Sequence, residues 1–434
     1  MRRDPSQPHS NHPFFLFLFS LFISLTLAGN AGSQDFKTYF SQGRTFIDQG
    51  RYPEAIAAFT QALDLNPKFA PAFTFRGLAK RRINDDDGAM ADVLRAIELD
   101  PQFGFAYFNR GVLKERRRDF DGALADQEKA IELAPQMSFA YSSRGFIKYI
   151  KGDLKGALAD QLKAIELDPK NSYAFCNRGI LKGKQGDLSG ALADYNQALT
   201  LNPSTNFRAY VSRGLLRTKQ KDFEGALADL NKALEIEPKS SPGYLYRAAV
   251  KKDQGDLNGA VADLNQAIVL DPGNRVAYTN RSYLKLLQKD FPGGLQDANR
   301  AIALDPGSSM AYKNRALLHK EKGNLEAAVA DFNQALDLDP QNRVAYLGRG
   351  EVKEGRGDLA GALADYQKAL DLDPTNLETA KQVGELKSKM ALAASAKSGT
   401  PKTIPKKSVP AAKPKPRRID QPDQLEILPV FGPR

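Results

Sequence analysis

Apolar and polar residues follow one another along most of the chain with the spacing of amphipathic α-helices. In the stretch 104–137, apolar residues recur every three or four positions over 106–117 and again over 122–133. Asp119 precedes the second segment, where its side chain can cap a helix, and Pro135 follows it, where a helix cannot continue. The stretch therefore predicts two helices joined by a tight turn, which is a helical hairpin.

This hairpin pattern recurs with a fixed period of 34 residues, interrupted by one step of 35. A period of this length predicts a stack of hairpins in which each repeat packs only against its neighbours. The proline that ends each repeat marks the period, at Pro67, Pro101, Pro135, Pro169, Pro203, Pro238, Pro272, Pro306, Pro340 and Pro374.

Small and aromatic residues also keep fixed places in the repeat. A Gly, Ala or Ser in the first segment lets two helix backbones approach, and an aromatic ring four residues earlier is expected to fill the gap beside it. An alanine holds one place in the second segment of all ten repeats. The aromatic residues are Tyr39, Phe73, Tyr107, Tyr141, Phe175, Tyr210, Tyr244, Tyr278, Tyr312 and Tyr346, and the alanines are Ala62, Ala96, Ala130, Ala164, Ala198, Ala233, Ala267, Ala301, Ala335 and Ala369.

The period and this skeleton of small residues, alanine and proline resemble the tetratricopeptide repeat family over residues 36–376. The resemblance implies an all-α fold, a right-handed superhelical solenoid of about ten helix-turn-helix repeats. It also implies that the first helices line a concave groove used for peptides or protein partners. Because the family is a class of scaffolds, the resemblance implies no catalysis.

A charged set recurs within the repeats. An Arg precedes the small residue of the first helix, a base lies four residues after the Arg, and an Asp lies sixteen residues after it. We predict that both cations bind this Asp across the hairpin. The first repeat lacks all three, with Gln42, Phe46 and Ala58 in their places. The arginines are Arg76, Arg110, Arg144, Arg178, Arg213, Arg247, Arg281, Arg315 and Arg349, and the bases include Lys80, Lys114, Lys251 and, in the ninth repeat, His319.

The remaining side chains of the first helices are expected to line the groove. They are apolar enough to favour an amphipathic or extended peptide, or a second copy of the chain, over the acidic C-termini that some tetratricopeptide proteins bind through Lys and Asn. Alternatively, some of them pack between neighbouring repeats. The expected lining residues are Phe105, Phe108, Val112, Phe139, Phe146, Tyr149, Tyr173, Cys176, Ile180, Leu215, Leu245, Tyr283, Leu286 and Leu317.

The residue inventory argues against an enzyme. Cys176 is the sole cysteine, so no intrachain disulfide can form. After the first 31 residues, His319 is the sole histidine, so neither a Cys/His metal cluster nor a nucleophile–His–acid set can be assembled. We therefore predict no cofactor, no metal and no catalysis.

The N-terminus has the pattern of a secretory signal peptide. Two arginines precede an apolar run over 14–27, and small residues at Ala28, Gly29 and Ala31 follow it. The run is shorter than the roughly 17–25 residues that span a bilayer. We expect residues 1–31 to be a signal peptide and the protein to be exported, either periplasmic or secreted, although an uncleaved anchor is the alternative.

The C-terminus is predicted to comprise a capping helix over 377–394 and a disordered basic tail over 395–434. The tail carries nine Lys or Arg against three Asp or Glu, about half of the net charge of +11. This arm favours a tether or an anionic envelope surface over nucleic acid. A structural, self-associating envelope protein anchored by its tail is therefore the alternative to a binding scaffold. Apolar residues return over 425–431, where a short motif could dock, for instance into the chain's own groove.

Overall fold

The computed structural model describes residues 31–397, which are helical throughout apart from short connecting turns. The expected signal peptide and tail lie outside the described residues, except for Ala31 and residues 395–397. The helices are α1 (Ala31–Asp48), α2 (Tyr52–Leu65), α3 (Ala70–Arg82), α4 (Asp86–Leu99), α5 (Gly104–Arg116), α6 (Phe120–Leu133), α7 (Ser138–Ile150), α8 (Leu154–Leu167), α9 (Ser172–Lys184), α10 (Leu188–Leu201), α11 (Phe207–Lys219), α12 (Phe223–Ile236), α13 (Ser241–Gln254), α14 (Leu257–Leu270), α15 (Arg275–Leu287), α16 (Phe291–Leu304), α17 (Ser309–Glu321), α18 (Leu325–Leu338), α19 (Arg343–Gly355), α20 (Leu359–Leu372) and α21 (Leu377–Lys397).

The helices form two compact units that meet between Ala209 and Tyr210, within α11. In unit 1, each helix from α1 to α10 packs against the next, and the first helices of adjacent hairpins also touch one another. In unit 2, each helix from α12 to α20 packs against the next, the first helices α15, α17 and α19 also touch in sequence, and α21 packs on α20 with Val383 and Leu386 buried. The predicted all-α solenoid of helical hairpins is thus confirmed within each unit.

The turns inside the hairpins follow the local sequence. Asp119 Oδ1 accepts a hydrogen bond from the backbone N–H of Gly122 at 2.9 Å, which confirms Asp119 as the N-cap of α6. The preceding residue must adopt a left-handed conformation to end the first helix. Gly152 does so freely, with φ of +86°, whereas Arg118, Lys221 and Lys289 reach φ of +62° to +63° with side chains attached.

Small residues set how closely the two helices of a hairpin approach. A Cβ atom added to Gly111 would lie 2.5 Å from Gln127 Nε2 and 3.2 Å from the backbone oxygen of Ala123. The alanines at the recurrent positions of the second helix, such as Ala123 and Ala130, are fully buried. The hairpins therefore depend on close backbone packing rather than on large side chains.

The predicted Arg–Asp contact forms in each of the nine hairpins whose sequence contains the charged set. In the third hairpin, the Arg110 guanidinium donates two hydrogen bonds to Asp126, at 2.9 and 2.6 Å, and Lys114 Nζ lies 2.9 Å from Asp126 Oδ2. Each Asp is buried, while its Arg and Lys are only partly exposed. In the ninth hairpin, His319 Nε2 stays 3.9 Å from Asp331 Oδ2. The prediction that both cations bind the Asp across the hairpin is confirmed in eight hairpins, whereas in the ninth Arg315 alone makes short bonds to Asp331.

The arginine of this network makes further contacts that the sequence did not predict. The Arg247 guanidinium lies 5.4 Å from the centre of the Tyr244 ring, and the recurrent aromatic residue has the same place beside Arg in the other hairpins. Arg247 Nη1 also donates to Asn231 Oδ1 at 2.8 Å, on the second helix of the preceding hairpin. The same guanidinium therefore holds one hairpin together and joins it to its neighbour.

We predict that Asp263→Ala strongly destabilises unit 2. The substitution leaves Arg247 and Lys251 without their shared buried carboxylate, and breaking a buried ion pair from one side costs about 3 kcal/mol. Urea unfolding followed by circular dichroism measures this loss. The control Glu235→Ala removes an exposed acid that pairs with Lys232, and it should change the unfolding free energy by less than about 0.5 kcal/mol. Equal shifts for the two variants would show that the network is not structural.

We also predict that Arg118→Gly stabilises unit 1 by about 1 kcal/mol. Glycine relieves a left-handed strain of roughly 1–2 kcal/mol, partly offset by the flexibility it adds to the unfolded chain. The matched change Gly152→Ala, at the equivalent place in the next hairpin, should destabilise by a similar amount. Thermal unfolding of both variants measures the two changes in stability. A loss of stability in Arg118→Gly would show that the left-handed backbone at Arg118 is not strained.

Candidate functional site

Four positions of each first helix share one face. They lie five and two residues before the network arginine, and two and five residues after it, a spacing that brings side chains together on an α-helix. We call this surface the first-helix face and describe it separately for each unit. In unit 1, it continues from one first helix to the next, since Ser143 Oγ on α7 donates to Glu115 Oε2 on α5 at 3.4 Å.

The first-helix face of unit 1 is rich in aromatic residues that solvent can partly reach. Tyr173 is 39% exposed, and the Phe105 and Phe108 rings stack at 5.9 Å between centroids. Six of the expected lining residues are half-buried, five in unit 1 and Leu215 in unit 2: Phe105, Phe108, Val112, Phe139, Tyr149 and Leu215. For these residues, the sequence placed side chains at an accessible surface.

The interpretation that all the expected lining residues face an open groove is wrong, because seven of the fourteen are buried. Tyr283 is 2% exposed, and it belongs with Leu245 and Leu317 to a hydrophobic core that continues into the second helices of unit 2. Phe146 is 4% exposed, with the Arg208 guanidinium 4.3 Å from its ring centre. The alternative of packing between neighbouring hairpins applies to the buried residues: Phe146, Ile180, Leu245, Tyr283 and Leu317, together with Cys176 and Leu286.

Charged side chains on the first-helix face of unit 1 were missed by the sequence interpretation. Arg81 lies five residues after Arg76, and its Nε is buried with no hydrogen-bond partner. Burial lowers the pKa of the Arg81 guanidinium to about 10, and repulsion from Arg82 and Arg116 acts in the same direction. Tyr173 on α9 lies near enough to Arg81 on α3 to oppose that shift. The Arg81 Nε–H group, a donor without a hydrogen-bond partner, thus lies on the same face as the aromatic side chains.

Glu115 and Arg208 are the other charges of this face. Burial raises the pKa of the Glu115 carboxyl, while Arg208, the hydrogen bond from Ser143 and Arg81 oppose the rise. Arg208 Nη1 also lies 3.4 Å from Asn177 Oδ1. All three charged residues stand five positions from a network arginine, where Phe105 and Tyr149 stand in other hairpins, so including charged residues in the same helical projection would have found them.

The first-helix face of unit 2 carries buried cations instead. Lys252 is 6% exposed, with Nζ 2.8 Å from Asp253 Oδ1. Lys313 is 2% exposed, with Nζ 5.8 Å from the centre of the Tyr283 ring and 2.9 Å from Met310 Sδ. These are the two buried bases of residues 35–393, whereas every buried acid in that range is a network aspartate on a second helix. The face therefore combines apolar side chains with buried positive charge.

The burial of Cys176 determines the protonation of its thiol. Burial raises the pKa of the Cys176 thiol to about 12, so the thiol stays protonated at neutral pH. Across residues 31–397, no three His, Cys, Asp or Glu side chains converge on a position suited to a metal ion. In the same range, no helix combines the length and the apolar character needed to cross a bilayer.

Family models for the tetratricopeptide repeat match most of the length of both units. The models described as tetratricopeptide repeat match residues 40–103, 106–137, 172–205, 207–240, 283–347 and 344–376, and one described as TPR repeat matches 145–186. No curated protein sequence matches the chain.

Solved structures with similar folds have low sequence identity to this chain. A chain of the APC/C hetero-tetramer Cut9–Hcn1 is 12% identical and matches with a TM-score of 0.53, covering 82% of this chain and 90% of that chain. Yeast Tom70 is 16% identical with a TM-score of 0.44, covering 85% and 100%. The TPR domain of P58(IPK) is 16% identical with a TM-score of 0.35, covering 83% and 99%. The repeated hairpins and the family matches together show that this chain belongs to the tetratricopeptide repeat family.

Proposed function

We propose that the protein is a non-catalytic scaffold that binds a peptide or protein segment along the first-helix face of unit 1. Membership of a family of protein-interaction scaffolds supports the general role. The observation that carries the specific proposal is Arg81, whose buried Nε has no hydrogen-bond partner and whose guanidinium interacts electrostatically with Tyr173. A ligand carboxylate would accept a hydrogen bond from that donor. The half-buried aromatic side chains of the same face would pack against an apolar side chain of the ligand next to that carboxylate.

We also propose that the protein is exported. The pattern of residues 1–31 supports entry into a secretory pathway, and so a partner in the periplasm or outside the cell. The repeats over 36–376 and the helix over 377–394 would then form the binding body, and the basic stretch 397–418 would favour an anionic surface.

We predict that the double variant Arg81→Gln/Tyr149→Ala loses partner capture. Removing a central cation and an aromatic anchor of one face should weaken binding at least 10-fold, as at other interface hot spots. Capture from the exported protein fraction, quantified by mass spectrometry against wild type, measures the loss.

The matched control is Leu94→Ala/Leu162→Ala, which removes two exposed leucines from the second helices α4 and α8. These residues lie outside the first-helix face, so this variant should capture the partner as wild type does. If both variants retain the same proteins, or both lose them equally, the first-helix face of unit 1 is not the binding site.

A further inference from the structure

We propose that the segment bound by the first-helix face of unit 1 carries one acidic and one basic side chain, two or three residues apart, with the acid bound to Arg81 and the base bound to Glu115. The inference rests on the proposed function and specifies the chemistry of the partner. It follows from two opposite charges, on the neighbouring first helices α3 and α5, that the protein itself does not pair.

Arg81 is the positive member of the two. Its Nε is buried and donates to no acceptor within residues 35–393. Asp86 attracts the guanidinium, but Asp86 Oδ2 already accepts a hydrogen bond from Arg116 Nε at 2.8 Å. A carboxylate supplied by a ligand would therefore pair with Arg81 without displacing a bond of the protein.

Glu115 is the negative member. Within residues 35–393, the sole hydrogen bond to its half-buried carboxylate comes from Ser143 Oγ on α7, at 3.4 Å, and no ion pair includes it. Arg208 and Arg81 attract this carboxylate from beyond ion-pair distance. A carboxylate that is partly removed from water and held by one long hydroxyl bond would be stabilised by a cation of a ligand.

The spacing of the two charges sets the pattern expected of the ligand. α3 and α5 contact each other, and packed helices lie about 8–10 Å apart. Side chains two residues apart on an extended strand share one side and are separated by about 6.6 Å. Side chains three residues apart on a polyproline II helix share one side at about 9 Å. A ligand with a single charge would leave either Arg81 or Glu115 without a partner.

Aromatic side chains of the same face lie on the helix that carries Glu115. Phe105 and Phe108 are half-buried, and their rings stack at 5.9 Å between centroids. Tyr149 has the place on α7 that Glu115 has on α5. Apolar residues next to the two charges of the ligand would pack against these rings. A uniformly acidic segment would be repelled by Glu115, so the face favours a ligand of mixed charge.

Selection from a random peptide library tests this charge pattern. Peptides of about twelve residues displayed on phage are selected on full-length wild type and on Glu115→Gln. On wild type, an acid with a base two or three residues away should be enriched about 10-fold over the unselected library. On Glu115→Gln, the acid should stay enriched and the base should not, because the amide has no charge to pair with the base.

The affinity of the most enriched peptide measures the contribution of Glu115. Fluorescence anisotropy compares the labelled peptide with a version in which Gln replaces the base. Wild type should bind the original about 10-fold more tightly, whereas Glu115→Gln should bind the two peptides equally. The matched control Glu98→Gln changes an exposed acid on the second helix α4, and it should keep the preference of wild type.

The outcomes separate this inference from the proposed function. If wild type and Glu115→Gln enrich the same acidic peptides, with no base at a fixed spacing, the assignment of Glu115 is wrong while carboxylate binding by Arg81 stands. If the selected peptides bind Arg81→Gln/Tyr149→Ala as tightly as wild type, the first-helix face of unit 1 is not the site and the proposed function fails too. A selection on wild type that enriches no peptide would also overturn both.

Discussion

The fold depends on nine buried carboxylates, each held by the arginine of its hairpin and, in eight of the nine, by a lysine or second arginine as well. An ionised Asp inside a helical pair would be strongly destabilising by itself, so a cationic partner must be present and correctly placed. Because the Arg fork binds both oxygens of Asp126 or Asp263, it fixes the position of one helix on the other. In the later hairpins, the same Arg also donates a hydrogen bond to an Asn of the preceding hairpin. One side chain therefore fixes both the spacing of the two helices within a hairpin and the spacing between adjacent hairpins.

The exceptions to this network show how it can be replaced. The first hairpin has Gln42, Phe46 and Ala58 in the three places, and Phe40, Phe59 and Phe75 form a cluster of rings 5.4–6.0 Å apart there instead. In the ninth hairpin, burial lowers the pKa of His319, which favours its neutral form, and Arg315 alone makes short bonds to Asp331. A neutral imidazole keeps the packing of the hairpin while contributing little charge.

The sequence predicted those features that arise within one repeat. The Asp119 cap and the Arg110–Asp126 pair both connect residues at fixed short separations, so local geometry determines them. Contacts between repeats were not predicted, since Arg247 and Asn231 meet only when the stacking of one hairpin on the next is known. The depth of Tyr283 and Phe146 was misjudged for the same reason, because their burial depends on neighbouring elements rather than on their own helix.

The positions of the repeat differ in how much of the hairpin packing they carry. The arginine and aspartate of nine hairpins, together with the alanine and small residues, carry the packing of each hairpin and leave little freedom to vary. The first-helix face varies more from hairpin to hairpin, although Leu245, Tyr283 and Leu317 of this face are themselves buried in the core of unit 2. Five residues after the network arginine stand Arg81, Glu115, Tyr149 and Gly183 in unit 1, and Thr218, Lys252, Leu286, Lys320 and Glu354 in unit 2. The charge at one repeated position therefore differs from hairpin to hairpin, while the contacts that fix the hairpin backbone stay the same.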